Sequence, residues 1–149
     1  MEKAQIEAII HQATVCRLGL FDGSSPYIVP LCFGYRDDAL YFHTGPRSRK
    51  LDMIRRHPRV CFEMDILAGP MPAAAPCDWN MDYQSVVGFG SASIVEATAA
   101  KQAALAVIVD QYTQGPYTFP ENKLAITAVI KVAVESMTGK RSKVGAGPV

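Results

Sequence analysis

The hydrophobic period of this chain switches to two just after its first dozen residues, and that alternation restricts the fold more than any other feature. Residues 14–20, 27–35, 39–42 and 59–65 are short β-branched and aromatic runs, the pattern of strands with one buried face. FDGSSP separates the first two runs and YRDD the next two, connections short enough for antiparallel hairpins. Ahead of them, Ile6, Ile9 and Ile10 at i, i+3, i+4 spacing predict a short helix over 3–12. A second helix is predicted over 48–57, closed by Pro58, which disfavours helical geometry at His57. Residues 66–82, ILAGPMPAAAPCDWNMD, contain three prolines and a run of small residues and read as a long loop. Residues 83–95 read as one long strand in which Gly88 and Gly90 mark a bend or a close backbone approach. Ala100, Ala103, Ala104, Val107 and Ile108 form a helical stripe over 98–112, ended by GPYTFPEN. The last strand, 125–135, sets Ile126, Ala128, Ile130, Val132 and Val134 against Thr127, Lys131 and Glu135. The expected fold is mainly β (α+β), a six-stranded antiparallel barrel with about three flanking helices.

A chain of 149 residues with 49% hydrophobic content fits one domain, 1–149, with room for a sizeable core. Its formal charge of +1 provides no global field for nucleic acid or an anionic membrane, so any anion site must be local. No apolar run reaches membrane-spanning length, and MEKAQIEAIIHQ is charged and amphipathic, unlike a secretory signal. A cytoplasmic location is expected. Cys16, Cys32, Cys61 and Cys77 show no CxxC or paired Cys/His spacing, and three lie in apolar segments. They read as buried free thiols rather than a metal site, with Cys77 in the loop the one expected at the surface. The tail GKRSKVGAGPV is expected to be flexible at its end.

The decapeptide YFHTGPRSRK places Arg49 and Lys50 at the start of the second helix. A helix N-terminus already carries partial positive charge, so each cation there costs about 0.3 to 1 kcal/mol unless an anion lies opposite. Backbone N–H groups, the Ser48 hydroxyl and the two cations would converge on a phosphate. A solvated basic turn, with Ser48 as an ordinary N-cap, fits the same residues.

The ordered segments ATVCRLGL, PYIVPLCFGY, ALYFHTGPRSRKLDMIRRHPRVCFEMD, CDWNMDYQSVVGFGSASIV and TAVIKVAVESMTGKRS span roughly residues 13 to 142. In that order they resemble the FMN-binding split barrels related to pyridoxamine 5'-phosphate oxidase, above all the nitroimidazole-resistance type branch. The resemblance implies a homodimer with one FMN in each of two interface clefts. It sets Ile28, Val29, Pro30 and Leu31 along the isoalloxazine ring, His43 and Thr44 at the ring and ribityl end, and Ser48, Arg49 and Lys50 at the phosphate. Ser85 falls where the partner subunit reaches the flavin; the oxidase proper has a glutamine there. Tyr27 and Cys32 stand where the oxidase has basic residues, and MTGKRSK lacks its C-terminal arginine and histidine. Both departures argue against pyridoxamine phosphate oxidation.

The activity implied is a flavin-dependent oxidoreductase that accepts electrons from a donor such as NAD(P)H and reduces small nitro-aromatic acceptors. Its alternative is a non-catalytic flavin or haem carrier or sensor, and related barrels also bind deazaflavin. His43 is the one ionisable group expected beside the ring with a proton to give near neutral pH; a packing or hydrogen-bonding role at the strand end is the leading alternative for it. Trp79 and Tyr83 fit either a wall of the substrate side or an interface filling. Lys140 and Arg141 read as solvated tail cations.

Overall fold

The computed structural model describes residues 1–142. Helix α1 (Lys3–Gln12) precedes strands β1 (Cys16–Phe21), β2 (Pro26–Leu31), β3 (Gly34–Arg36) and β4 (Ala39–Thr44). Helix α2 (Arg49–Arg56) leads into β5 (Arg59–Met71), a short 3-10 turn (Pro76–Asp78) and β6 (Asn80–Val95). Helices α3 (Thr98–Asp110) and α4 (Glu121–Ala125) come before β7 (Ala128–Arg141). All strand pairs are antiparallel, in the order β2-β1-β5-β6-β7-β4-β3. The sheet therefore has seven strands rather than six, with four α-helices rather than three, and β2 and β3 at its two ends are not paired with each other. None of the described helices is long and apolar enough to cross a membrane.

The core lies on one face of this sheet. Leu18, Leu40, Phe42, Phe62, Met64, Val86, Ile130 and Val132 point into it, and Ile6, Ile9 and Ile10 of α1 join them. Each such aliphatic side chain contributes about 1.5 to 3 kcal/mol on leaving water. Leu51, Met53 and Ile54 of α2 belong to the same cluster. α3 instead packs on β3, β4 and β7, burying Ala104, Val107 and Ile108 there while Ala100 and Ala103 of the expected stripe stay exposed.

Several local expectations change for identifiable reasons. The run 27–35 is two strands: β2 pairs with β1, whereas β3 pairs with β4 at the opposite end of the sheet. Phe33 in the crossing is fully buried, and its N–H donates to the Tyr112 hydroxyl at 2.9 Å. Residues 66–82 are not a long loop, because the β5–β6 hairpin continues through Leu67↔Tyr83 and Pro70↔Met81 to Met71↔Asn80. At that end β5 pairs on one side only, so Pro70 needs no N–H for a second ladder. The last strand begins at Ala128, because residues 121–125 form α4. It also runs through Lys140 and Arg141, so these are strand residues, with Lys140 Nζ 5.8 Å from the Tyr83 ring centre. The expected flexible end of the tail lies outside the described residues.

Alternation also corrects the thiols. Val60 and Phe62 point inward, so Cys61 between them is exposed, as are Cys32 and Cys77; Cys16 alone is buried. Burial raises the Cys16 thiol far above its ordinary range. Gly88 and Gly90 do mark close approaches: a Cβ at Gly88 would enter the Phe62 ring, and one at Gly90 would meet the Ala133 carbonyl beside a register shift.

Candidate functional site

β4 ends at Thr44 and α2 begins at Arg49, so the turn between them returns the chain to place Ser48 and Lys50 near Thr44. Ser48 occupies the N-cap position but its hydroxyl makes no capping bond. Lys50 Nζ instead donates to Thr44 Oγ1 at 2.9 Å and to Ser48 Oγ at 2.8 Å. The ordinary-cap reading of Ser48 therefore does not describe it.

Lys50 is half-buried, and burial lowers its pKa from the ordinary lysine value. It makes no ion pair among the described residues. An ammonium has three donors, of which two are used. Because both hydroxyls accept from Lys50, their own O–H groups remain free to donate to a third party, and neither donates to an acceptor among the described residues. Arg49 and Lys50, as the first helical residues, also have backbone N–H groups without intrahelical partners. The arrangement is a cation ringed by donors at the positive end of a helix, suited to an oxyanion.

Arg49 is placed differently. Its Nη2 donates to Asp22 Oδ2 at 3.0 Å, and its guanidinium carbon lies 5.1 Å from the Tyr27 ring centre. Asp22 belongs to the β1–β2 turn, where backbone N–H groups of Ser25 and Ser24, the Ser24 hydroxyl and Arg49 hold its carboxyl well below the usual range. The sequence marked FDGSSP only as a turn. An aspartate followed by two serines is the signal of a side chain bonding its own turn, but its contact with Arg49 spans 27 residues and leaves no local trace.

β2 is the end strand of the sheet, so one of its backbone edges carries no strand partner. Ile28 and Pro30 are exposed, while Val29 and Leu31 pack on the core. Tyr27 packs there too, bringing the edge and the Arg49 pair together. Thr44 joins the Lys50 group, but His43 faces the other way, since consecutive strand residues alternate. His43 lines a cavity of about 230 Å³ with Leu105, Ile108, Val109, Phe119 and Lys123. Ser85 is half-buried on β6 between Asp65 and Lys140, and two strands, β1 and β5, separate β6 from the β2 edge by sheet order. Trp79 is exposed near the hairpin tip, donating Nε1–H to the Ala73 carbonyl at 3.0 Å. Within one chain, then, Thr44, Ser48 and Lys50 form one group and Arg49 borders it, while His43 and Ser85 stand apart.

Comparison with known proteins gives this arrangement a family. A family model described as pyridoxamine 5'-phosphate oxidase matches residues 2–141. The chain is similar to the crystal structure of a candidate 5-nitroimidazole antibiotic resistance protein from Bacteroides thetaiotaomicron, at 34% identity and TM-score 0.82 over 93% of this chain and 82% of that one. It shares the fold of a FAD and haem binding protein from Mycobacterium smegmatis, at 20% identity and TM-score 0.86, covering 95% of this chain and 72% of that one. A FAD-binding protein from Mesorhizobium loti also has this fold, at 20% identity and TM-score 0.70 over 96% of both chains. No curated protein matches the sequence. A match over residues 2–141, with a relative one-third identical across nearly the same span, establishes that the chain belongs to the pyridoxamine 5'-phosphate oxidase family.

Proposed function

We propose that this protein is an FMN-dependent oxidoreductase, a single split-barrel domain that works as a homodimer and reduces small acceptors of the nitro-aromatic type with electrons from NAD(P)H. The observation that carries the cofactor reading is Lys50, a half-buried cation held by Thr44 and Ser48 and paired with no carboxylate among the described residues. Its free donors and those of the two hydroxyls suit a terminal phosphate. The open edge of β2, at Ile28–Leu31, would offer backbone groups to the polar rim of the ring. Bound flavin supplies the two-electron chemistry, leaving the protein to bind, orient and exclude. By the family pattern His43 is the candidate proton donor to the ring, reached from the face of β4 opposite the Lys50 group. The resemblance to the resistance protein supports the choice of acceptor.

Homodimerisation is supported by the sheet face opposite the core. Ile28, Gly19, Cys61 and Phe89 align across β2, β1, β5 and β6, and Val87 lies one row away. Ile28 is 68% exposed and Phe89 45%, an apolar stripe of the kind partners cover. The partner subunit would bring its Ser85 to the flavin, by the family pattern. In native thiol labelling Cys77 reacts at once, Cys61 only when dilution separates the dimer, and Cys16 only on unfolding. Equal labelling of Cys61 at all protein concentrations argues against this face.

The visible spectrum of the purified protein, with mass identification of the released cofactor, tests the central claim. A yellow protein releasing FMN is expected, bleached by NAD(P)H and recoloured by a nitro-aromatic acceptor. A colourless protein that takes up no FMN overturns the reading. Bound FMN without turnover assigns carriage or sensing instead.

A further inference from the structure

The β1–β2 turn presents a carboxylate to a region otherwise built to receive an anion. Asp22 Oδ1 accepts from Ser24 N–H at 2.9 Å, Ser24 O–H at 2.8 Å and Ser25 N–H at 2.8 Å, and Oδ2 accepts from Arg49 at 3.0 Å. The turn donors fix the carboxylate whether or not Arg49 is present. Arg49 has five N–H donors and spends only one on Asp22, while its position over Tyr27 orients the guanidinium plane. Asp22 and Tyr27 belong to the hairpin that continues into Ile28–Leu31, and Arg49 immediately precedes Lys50. One guanidinium thus joins the edge strand to the phosphate pocket.

We propose that Asp22 is a positioning residue that acts through Arg49 to hold the strand Ile28–Leu31 and the Lys50 pocket at a fixed spacing, so that one flavin mononucleotide engages both. This rests on the flavin reading above. Once one end of the ligand is held, capture of the other is intramolecular, and its strength depends on how well the two half-sites keep their separation. Asp22 is itself anionic and repels a phosphate. A role confined to local charge therefore predicts tighter FMN binding when it is removed, whereas positioning predicts weaker binding.

Asp22→Asn keeps an oxygen for the turn donors and removes the charge that holds Arg49. FMN, riboflavin and inorganic phosphate are titrated into the wild type, Asp22→Asn, Arg49→Ala and the double variant. We expect Asp22→Asn to raise the FMN dissociation constant about three- to tenfold while riboflavin and phosphate change less than about twofold, with no added loss in the Arg49→Ala background. Unchanged or tighter FMN binding by Asp22→Asn overturns the proposal, even where the variant melts at a lower temperature. So does an Asp22→Asn loss that persists without Arg49, since the turn alone would then be responsible. A wild-type protein that binds no FMN sinks the flavin reading itself; a wild type that binds it beside an unaffected variant sinks only the positioning role.

Discussion

If the flavin reading holds, Lys50→Ala is expected to weaken FMN binding about 10- to 150-fold, and Arg49→Ala several-fold less. The range follows from the loss of a charge-assisted hydrogen bond, worth about 1.5 to 3 kcal/mol, at tenfold per 1.4 kcal/mol. The ranking follows from the surroundings of the two cations. Lys50 is half-buried between Thr44 and Ser48 and meets no carboxylate among the described residues, so its charge is available to a ligand. Arg49 is already neutralised by Asp22 and stands largely in solvent. Lys50→Ala also removes the group to which both hydroxyl oxygens are turned, leaving them free to rotate away. Fluorescence titration of apoprotein with FMN measures both constants, and equal losses would show that Arg49 carries as much of the phosphate as Lys50. Riboflavin, which lacks the phosphate, should bind the wild type and Lys50→Ala alike.

Gly34→Ala is expected to destabilise the fold by about 1 to 3 kcal/mol or more, the cost of forcing atoms into a filled space. Gly34 is buried at the start of β3, where α3 crosses it. An added Cβ would strike the Val107 carbonyl and lie 2.7 Å from Ile108 Cα. These are backbone atoms in the last turn of α3, so no rotamer change relieves the clash and that turn must shift away from β3. Urea unfolding monitored by circular dichroism measures the loss. As a control, Gly45→Ala, where an added Cβ meets nothing within 4 Å, should fall within about 0.5 kcal/mol of the wild type. A Gly34→Ala protein as stable as that control would mean that α3 does not press on β3.

Much of this architecture could be read along the chain, because alternation and helical spacing are local. α1 was legible from its three isoleucines, and the end of α2 from Pro58, which disfavours helical geometry at His57. What alternation could not express was partner choice. Residues 27–35 alternate through Cys32 without a break, yet the chain leaves β1 and reappears beside β4. Prolines hid the outer hairpin, because their cost depends on whether a second neighbour needs the missing N–H, and at Pro70 none does. The apolar sequence around Ile126 concealed α4, and Ile126 itself ends 58% exposed. At the site, Lys50 with Thr44 and Ser48 was within reach of the sequence because they lie within seven residues of one another. Asp22 was not, since it lies in the β1–β2 hairpin and meets Arg49 of α2, 27 residues on, only through folding.

β4 delivers Thr44 to the Lys50 pocket and His43, its immediate neighbour, to a cavity walled by α3 and α4. The strand thereby acts as a partition with a different room on each side. Side chains at Leu105, Val109 and Phe119 can be exchanged to reshape the histidine's room while the cradle around Lys50 keeps its wiring, and the reverse holds for Ser48. The wiring around Lys50 and the surroundings of the histidine are thus separately adjustable properties of one six-residue strand.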